Sequence, residues 1–297
     1  MKQYDFMQPL TTGDFNQTTE FLIDGFLPKK LITMIYANGG MGKSWLGFGI
    51  AKYAAQHNMH VIYLDYDNPI SVLKDRGIEA SLINAYHNVS YSHRSKAKLQ
   101  PIEMLEAFEQ MAVGNQYSNT LFILDSLRNF CEVKSDVSAM RASDKLMNLR
   151  EAGATIVVLH HSTKNGSNYE GSNNLRNSID NMFRLIQSES PDGEIRWLLE
   201  VEKERAAITD TGLSINVDDL TLTTVDVETV QLNREEKDFI EQVEVVLSQH
   251  DKINKTKLLE AIGHKKDDKT ARDRLDRFDG VHWKSEKAKG IYTYSLA

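Results

Sequence analysis

Short apolar runs recur along this chain, and after each comes a segment whose apolar positions repeat every three or four residues. The first run, Leu31 to Tyr36, precedes a segment in which Leu46, Ile50, Tyr53 and Ala54 share one helical face. That helix runs out near "QHN", and "HVIYLDYDNP" supplies a second strand, closing a β-α-β unit. The pattern then repeats: "PIEMLEAFEQMAV" reads as helix, "TLFILDS" as strand, "SAMRASDKLMNLREAG" as helix and "ATIVVLHH" as strand. Strands that are apolar throughout belong in a sheet covered on both faces. The predicted fold is therefore α/β, with a mainly parallel central sheet and helices on both sides.

Beyond His161 the texture changes. "STKNGSNYEGSNN" is rich in Ser, Asn and Gly and predicts a mobile loop. "NMFRLIQSE" and "EIRWLLEVEKE", joined by "SPDG", predict a β-hairpin extension, and shorter strand-like pieces continue through "SINVDDLTLTTVD". Helical texture resumes near Asn233 with "REEKDFIEQVEVVLSQH", "NKTKLLEAIG" and "DDKTARDRLDRF", followed by the hairpin-like "VHWKSEKAKGIYTYSL". Three helices and a β-wing is winged-helix order. The predicted organisation is a polar segment over 1–19, an α/β domain over 20–231 and a small winged-helix-like domain over 232–297.

Composition narrows the function classes. With 297 residues and 41% hydrophobic content, the chain has enough apolar material for one substantial core and a second small domain. A formal charge of −7 argues against coating of nucleic acid through bulk positive charge and leaves open a local basic groove or a pore assembled by several subunits. The charge is uneven: from Asn233 onward 14 Lys and Arg face 13 Asp and Glu, whereas the rest holds 21 against 29. The single cysteine, Cys131, has no partner for an internal disulfide, and the opening residues lack the basic-then-apolar layout of a secretion signal. No apolar stretch approaches the ~18 residues of a membrane span. The expectation is a cytoplasmic protein without a membrane partner.

The sharpest chemical signal is "ANGGMGKS", Ala37 to Ser44, placed between the first strand and the first helix. Phosphate oxygens need converging N–H donors and a cation, and a Gly-rich turn feeding a helix N-terminus supplies both. The pattern is G-x-x-x-x-G-K-[ST] with Ala37 at the first glycine position. Asn38, Gly39, Gly40, Met41 and Gly42 would form the cradle, Lys43 would reach the β- and γ-phosphates of ATP, and Ser44 would ligate Mg²⁺. Asp125 ends the apolar run "TLFILD" at the edge where a parallel strand meets such a loop, and so is the second candidate metal residue. Hydrolysis also needs a group that orients the attacking water. "YLDYDNP" offers Asp65 and Asp67, which point the same way in strict alternation and are not separated by spacing.

Together these residues resemble the RecA-like branch of P-loop ATPases, most closely the hexameric RepA-type replicative helicases. The resemblance spans roughly Glu20 to Val217 and rests on "FLIDGFLPKKLITMIYANGGMGKS", "YLDYDNP", "FILDSL", "VVLHHSTK" and "GSNNLRNSIDNMFRL". It implies that Asp67 stands where the family carries its catalytic glutamate, one methylene shorter here. It also implies that His161 senses the γ-phosphate, with His160 as the alternative. The following loop would line the nucleic-acid path through Lys164 and Arg176, although Glu170 stands where the family has a basic or small residue. Lys203 and Arg205 would act as fingers reaching the neighbouring subunit's site, or else are part of an ordinary surface charge run. The implied assembly is a homo-oligomeric ring, expected to be a hexamer, on single-stranded DNA.

The last predicted helix carries Lys269, Arg272 and Arg277 as phosphate-contact candidates, with Trp283 in the wing. Asp267, Asp268, Asp273, Asp276 and Asp279 interleave with them. A replication or other protein partner therefore stands beside DNA as the ligand of this domain. The expected function is ATP-driven translocation on single-stranded DNA. The alternatives are a regulatory or loader ATPase that recruits a partner without unwinding, and a DNA-binding adaptor whose assembly ATP controls.

Overall fold

The computed structural model describes residues 9–16, 18–163, 168–232, 234–288 and 290–296. The chain divides into two compact units, Met1–Val230 and Gln231–Ala297.

In the larger unit a 3-10 turn, Thr12–Asn16, precedes a small hairpin of β1 (Phe21–Ile23) and β2 (Leu27–Pro28). Then follow β3 (Ile32–Ala37), α1 (Lys43–Gln56), β4 (His60–Asp65), α2 (Ile70–Asp75) and β5 (Val89–His93). Next come α3 (Pro101–Gln110), β6 (Thr120–Asp125), α4 (Asp136–Glu151) and β7 (Thr155–His161). The unit is completed by α5 (Asn173–Ser178), β8 (Asn181–Ser188), β9 (Glu194–Lys203), β10 (Thr211–Asn216), β11 (Leu222–Val225) and α6 (Val227–Gln231).

Strands β3 to β11 form a nine-stranded sheet in the order β11-β10-β9-β8-β3-β7-β6-β4-β5. From β8 to β5 all neighbours are parallel, whereas β9, β10 and β11 are added antiparallel. The alternation within each central strand feeds two cores. Ile35, Ile123, Val157 and Leu159 pack with Leu46 and Ile50 of α1, while Met34, Phe122, Leu124 and Val158 pack with Leu146 and Leu149 of α4. Burial on both faces is why the middles of these strands are almost continuously apolar. Because these strands are parallel, the loops that leave them, including the Gly-rich one, gather at their carboxyl ends.

Two parts of the unit depart from the sequence-based expectation. Strand β5, "VSYSH", is an edge strand of half-buried and exposed positions, so it lacks an apolar run. The polar stretch after His161 is organised at its base: Glu170 N–H donates to His161 O, Ser162 bridges to Tyr169, and α5 begins at Asn173. Residues 164–167 of that stretch, including Lys164, lie outside the described residues.

The smaller unit contains α7 (Arg234–Ser248), β12 (Ile253–Asn254), α8 (Lys255–Ala261), α9 (Lys269–Arg277), β13 (Trp283–Ala288) and β14 (Ile291–Leu296). Its strands form a sheet in the order β12-β14-β13. The core gathers Phe239, Val243, Leu258, Leu275 and Trp283. Trp283 begins β13 but is fully buried, its indole N–H donating to Leu275 O at 2.9 Å, so it is a core residue and not a contact residue of a wing.

Candidate nucleotide site

The loop after β3 turns sharply because Gly40 and Gly42 both take φ +81°, a left-handed conformation that favours glycine. Gly42 has a second constraint. A methyl group there would meet Trp197 Cζ2 at 2.8 Å. The indole of Trp197, on β9 and fully buried, also donates to Met41 O at 2.8 Å and so braces the loop from beneath. Around Gly39 and Gly40 the space is open, with nothing within 4 Å of an added Cβ. No side chain caps the start of α1, which leaves its first N–H groups facing that space. Lys43 is folded back, donating to Ala37 O at 3.0 Å and Asn38 O at 2.8 Å. Burial lowers its pKa to about 8, against the pull of Asp125 and Asp67.

Asp65 and Asp125 end neighbouring strands in register, and both are buried. Asp125 accepts from Tyr63 Oη at 3.0 Å and from Asn68 Nδ2 at 3.1 Å, and Ser44 also bonds its carboxylate. Burial, and then the nearby Asp65, push Asp125 up to about 6. Asp65 accepts from the backbone N–H groups of Asp67 and Asn68, from Asn68 Nδ2 and from Tyr91 Oη. Its oxygens are fully engaged inside the chain. Asp67 lies past the end of β4, so alternation does not apply to it and the two carboxylates do not point the same way. Its side chain is partly exposed, with Oδ1 2.8 Å from Arg128 Nη2 and Oδ2 3.9 Å from His161 Nε2.

The two histidines diverge. His160 is fully buried, its Nε2 against Glu170 O, and burial lowers its pKa to about 4. His161 faces Asp67, and burial, then Lys43 and Arg128, lower its pKa. His161 Nε2 is buried without a hydrogen-bond partner. Beside it, Ser162 Oγ donates to Asn38 Oδ1, tying the segment after β7 to the Gly-rich loop.

Thus Asn38 to Ser44, Asp67, Asp125 and His161 converge at one end of the sheet. Lys203 and Arg205 do not join them. Met182, which pairs with Lys203, lies beside Met34, and Asp180, which holds Arg205, accepts from the Ile32 N–H, so the pair sits toward the end of β3 opposite the Gly-rich loop. Lys203 Nζ donates to Arg176 O and Ile179 O, each at 2.6 Å, closing the end of α5. Arg205 pairs at 2.8 Å with buried Asp180, which Arg150 and the Ile32 N–H also hold. Arg176 is exposed, donates to Glu202 O, and lines a polar cavity of about 390 Å³ with Tyr36, Tyr169 and Asn173. Glu170 is paired with Lys134 at 2.9 Å.

In the smaller unit Lys269 and Arg272 are exposed and, among the described residues, in no ion pair. Arg277 is bound to Glu236 at 2.6 Å. Of the interleaved acids, Asp268 caps α9, Asp276 pairs with Lys255, and Asp279 holds Ser285.

Spacing gave no sign of Tyr63, Tyr91, Asn68, Arg128 or Trp197. The Tyr63–Tyr91 pairing across β4 and β5 and the Trp197 brace both join segments distant in sequence.

A loop of free N–H groups at a helix start, an adjacent lysine, and a hydroxyl beside a strand-end carboxylate define a P-loop nucleotide-binding protein. The site fits Mg²⁺ and a nucleotide by its donors: hard oxygens from Ser44 and Asp125, and an orphaned imidazole nitrogen beside Asp67. Among the described residues no group of three or more His, Cys, Asp or Glu could hold a metal ion. The AAA domain family model matches residues 12–167, more than half of the chain, and the chain belongs to this family of P-loop AAA-type ATPases. No curated protein matches it. Among the described residues no helix is long and apolar enough to cross a membrane.

Proposed function

We propose that the chain is a ring-forming ATPase of the RepA-helicase type, which couples Mg-ATP hydrolysis to translocation on single-stranded DNA. The observation that carries this reading is the link at the end of β7. His161 faces Asp67, the next residue bonds the phosphate loop through Asn38, and the polar stretch toward Arg176 follows directly. A change at the phosphate site would be passed to that stretch through two adjacent residues.

Bound Mg-ATP would supply the scissile phosphoanhydride and its charge neutralisation. Lys43 would leave the Ala37 and Asn38 carbonyls to meet phosphate oxygens, while Ser44 and Asp125 would hold the metal. Asp67 is the carboxylate available to orient water, since Asp65 is consumed by internal donors. His161 would sense the γ-phosphate. Lys203 and Arg205, out of reach of their own loop, would complete a neighbouring chain's site in a head-to-tail ring, expected to be a hexamer.

The order helix, short strand, two helices and hairpin supports a winged-helix reading of the smaller unit. Lys269 and Arg272 would be its phosphate contacts, and Arg277, held by Glu236, would contribute less. One observation favours the rival reading of a regulatory or loader ATPase: Arg128 already neutralises Asp67, which would keep turnover slow. Strand displacement on a forked DNA, run with a preparation shown to be a ring, tests the proposal. ATP-dependent unwinding is expected, and DNA-stimulated turnover without displacement would remove the helicase reading.

A further inference from the structure

Asp65 and Asp125 are two buried carboxylates in adjacent strands, and among the described residues neither has a cationic side chain bonded to it. Neutral donors hold them instead. The central one is Asn68, whose Nδ2 lies 3.4 Å from Ser44 Oγ, 3.1 Å from Asp125 Oδ2 and 3.2 Å from each oxygen of Asp65. The amide orientation is fixed by charge: Oδ1 faces Arg76 Nη1 at 3.4 Å, and the nitrogen faces the carboxylates. Two N–H bonds are thus divided among four oxygens, each contact longer than the usual ~2.9 Å. The backbone of Asn68 is held separately, its N–H on Asp65 and its carbonyl on His93 Nε2 at 2.8 Å, so the side chain can swing while the chain stays fixed.

The oxygens that Asn68 Nδ2 touches include the two assigned above to the metal. A divalent cation binds such oxygens more strongly than a neutral amide does and needs the same volume beside them. We propose that Asn68 is a positioning residue that stands in for Mg²⁺: its amide fills the place beside Ser44 and Asp125, which also bond each other, in the metal-free protein and is displaced when the metal enters. This rests on the nucleotide-site reading above.

The test is ADP-dependent Mn²⁺ binding, read from the free-ion signal in electron paramagnetic resonance, with Ser44→Ala as control. Because the amide competes with the metal, Asn68→Ala is expected to bind Mn²⁺ about fivefold more tightly, the equivalent of one modest hydrogen bond. Asn68→Asp, which adds a carboxylate, should bind more tightly still. Circular dichroism checks folding, and Asn68→Ser decides if the alanine variant fails to fold. Equal or weaker Mn²⁺ binding by the alanine or serine variant overturns the stand-in role while the site reading stands. If the wild type takes up no ADP-dependent Mn²⁺, or Ser44→Ala takes up as much, the site reading itself fails.

Discussion

Gly42→Ala separates two physical demands on the phosphate loop. Gly40 and Gly42 share φ +81°, so alanine at either carries the same backbone penalty of about 1–2 kcal/mol. They differ in surroundings. A Cβ at Gly42 meets Trp197 at 2.8, 3.1 and 3.2 Å, and the fully buried indole has no free end to move, which adds about 1–3 kcal/mol of overpacking. A Cβ at Gly40 meets nothing within 4 Å. Gly42→Ala should therefore destabilise the larger unit by about 2–5 kcal/mol and Gly40→Ala by about 1–2 kcal/mol. Chemical unfolding, with the larger unit's transition fitted separately, measures both. In a Trp197→Phe background the excess at Gly42 should shrink, a coupling that the double-mutant cycle isolates. Nucleotide affinity should show another contrast: Gly40→Ala intrudes on the open cradle, so its binding should fall well beyond its small effect on stability. Equal costs at the two glycines, or an excess unaffected by Trp197→Phe, would refute the brace.

Replacing Asp67 by Asn should reduce ATP turnover by about 100-fold or more, as expected for loss of a general base, and an Asn variant with full turnover would remove that role. Asp67→Glu, longer by about 1.5 Å, should retain or raise turnover. Arg205→Ala should leave nucleotide binding intact, because Asp180 keeps Arg150 and the Ile32 N–H, yet lose turnover; mixed with inactive Lys43→Ala it should regain some activity. Failure of that complementation returns Arg205 to an ordinary intrachain ion pair. His160 stays neutral in the fold down to about pH 4, whereas the unfolded chain protonates it near 6.5. Stability should therefore fall as pH drops through that window, by about 3 kcal/mol from this residue alone. Asp125 acts in the opposite sense, favouring the fold at low pH and losing that contribution as pH rises toward about 6, but it is common to both proteins. Unfolding between pH 7 and 4 should show His160→Gln losing less stability than the wild type.

The parts of the site legible in the sequence are those whose chemistry fixes local spacing. The Gly-rich loop must sit between a strand and a helix, and Asp125 must end an apolar strand; both patterns survive in one dimension. Asp65 and Asp67 were inseparable because alternation assumes the strand continues. It does not: Asp65 captures the N–H groups of Asp67 and Asn68 and turns the chain. Strand β5 escaped because an edge strand needs no apolar run. Trp197 and Asn68 act across the tertiary fold, and a sequence pattern holds no trace of which glycine a distant indole will touch. Of the acids interleaved with the basic residues around α9, Asp268, Asp276 and Asp279 serve the unit's own caps and pairs, while Asp267 and Asp273 are exposed.

The coupling of nucleotide chemistry to DNA is tested most directly by steady-state ATP turnover with Mg²⁺, with and without single-stranded DNA, in the wild type and in Lys43→Ala. The expected result is Mg²⁺-dependent turnover that rises when the strand is added and is absent from Lys43→Ala. Turnover indifferent to the strand, or equal in the two proteins, would contradict it.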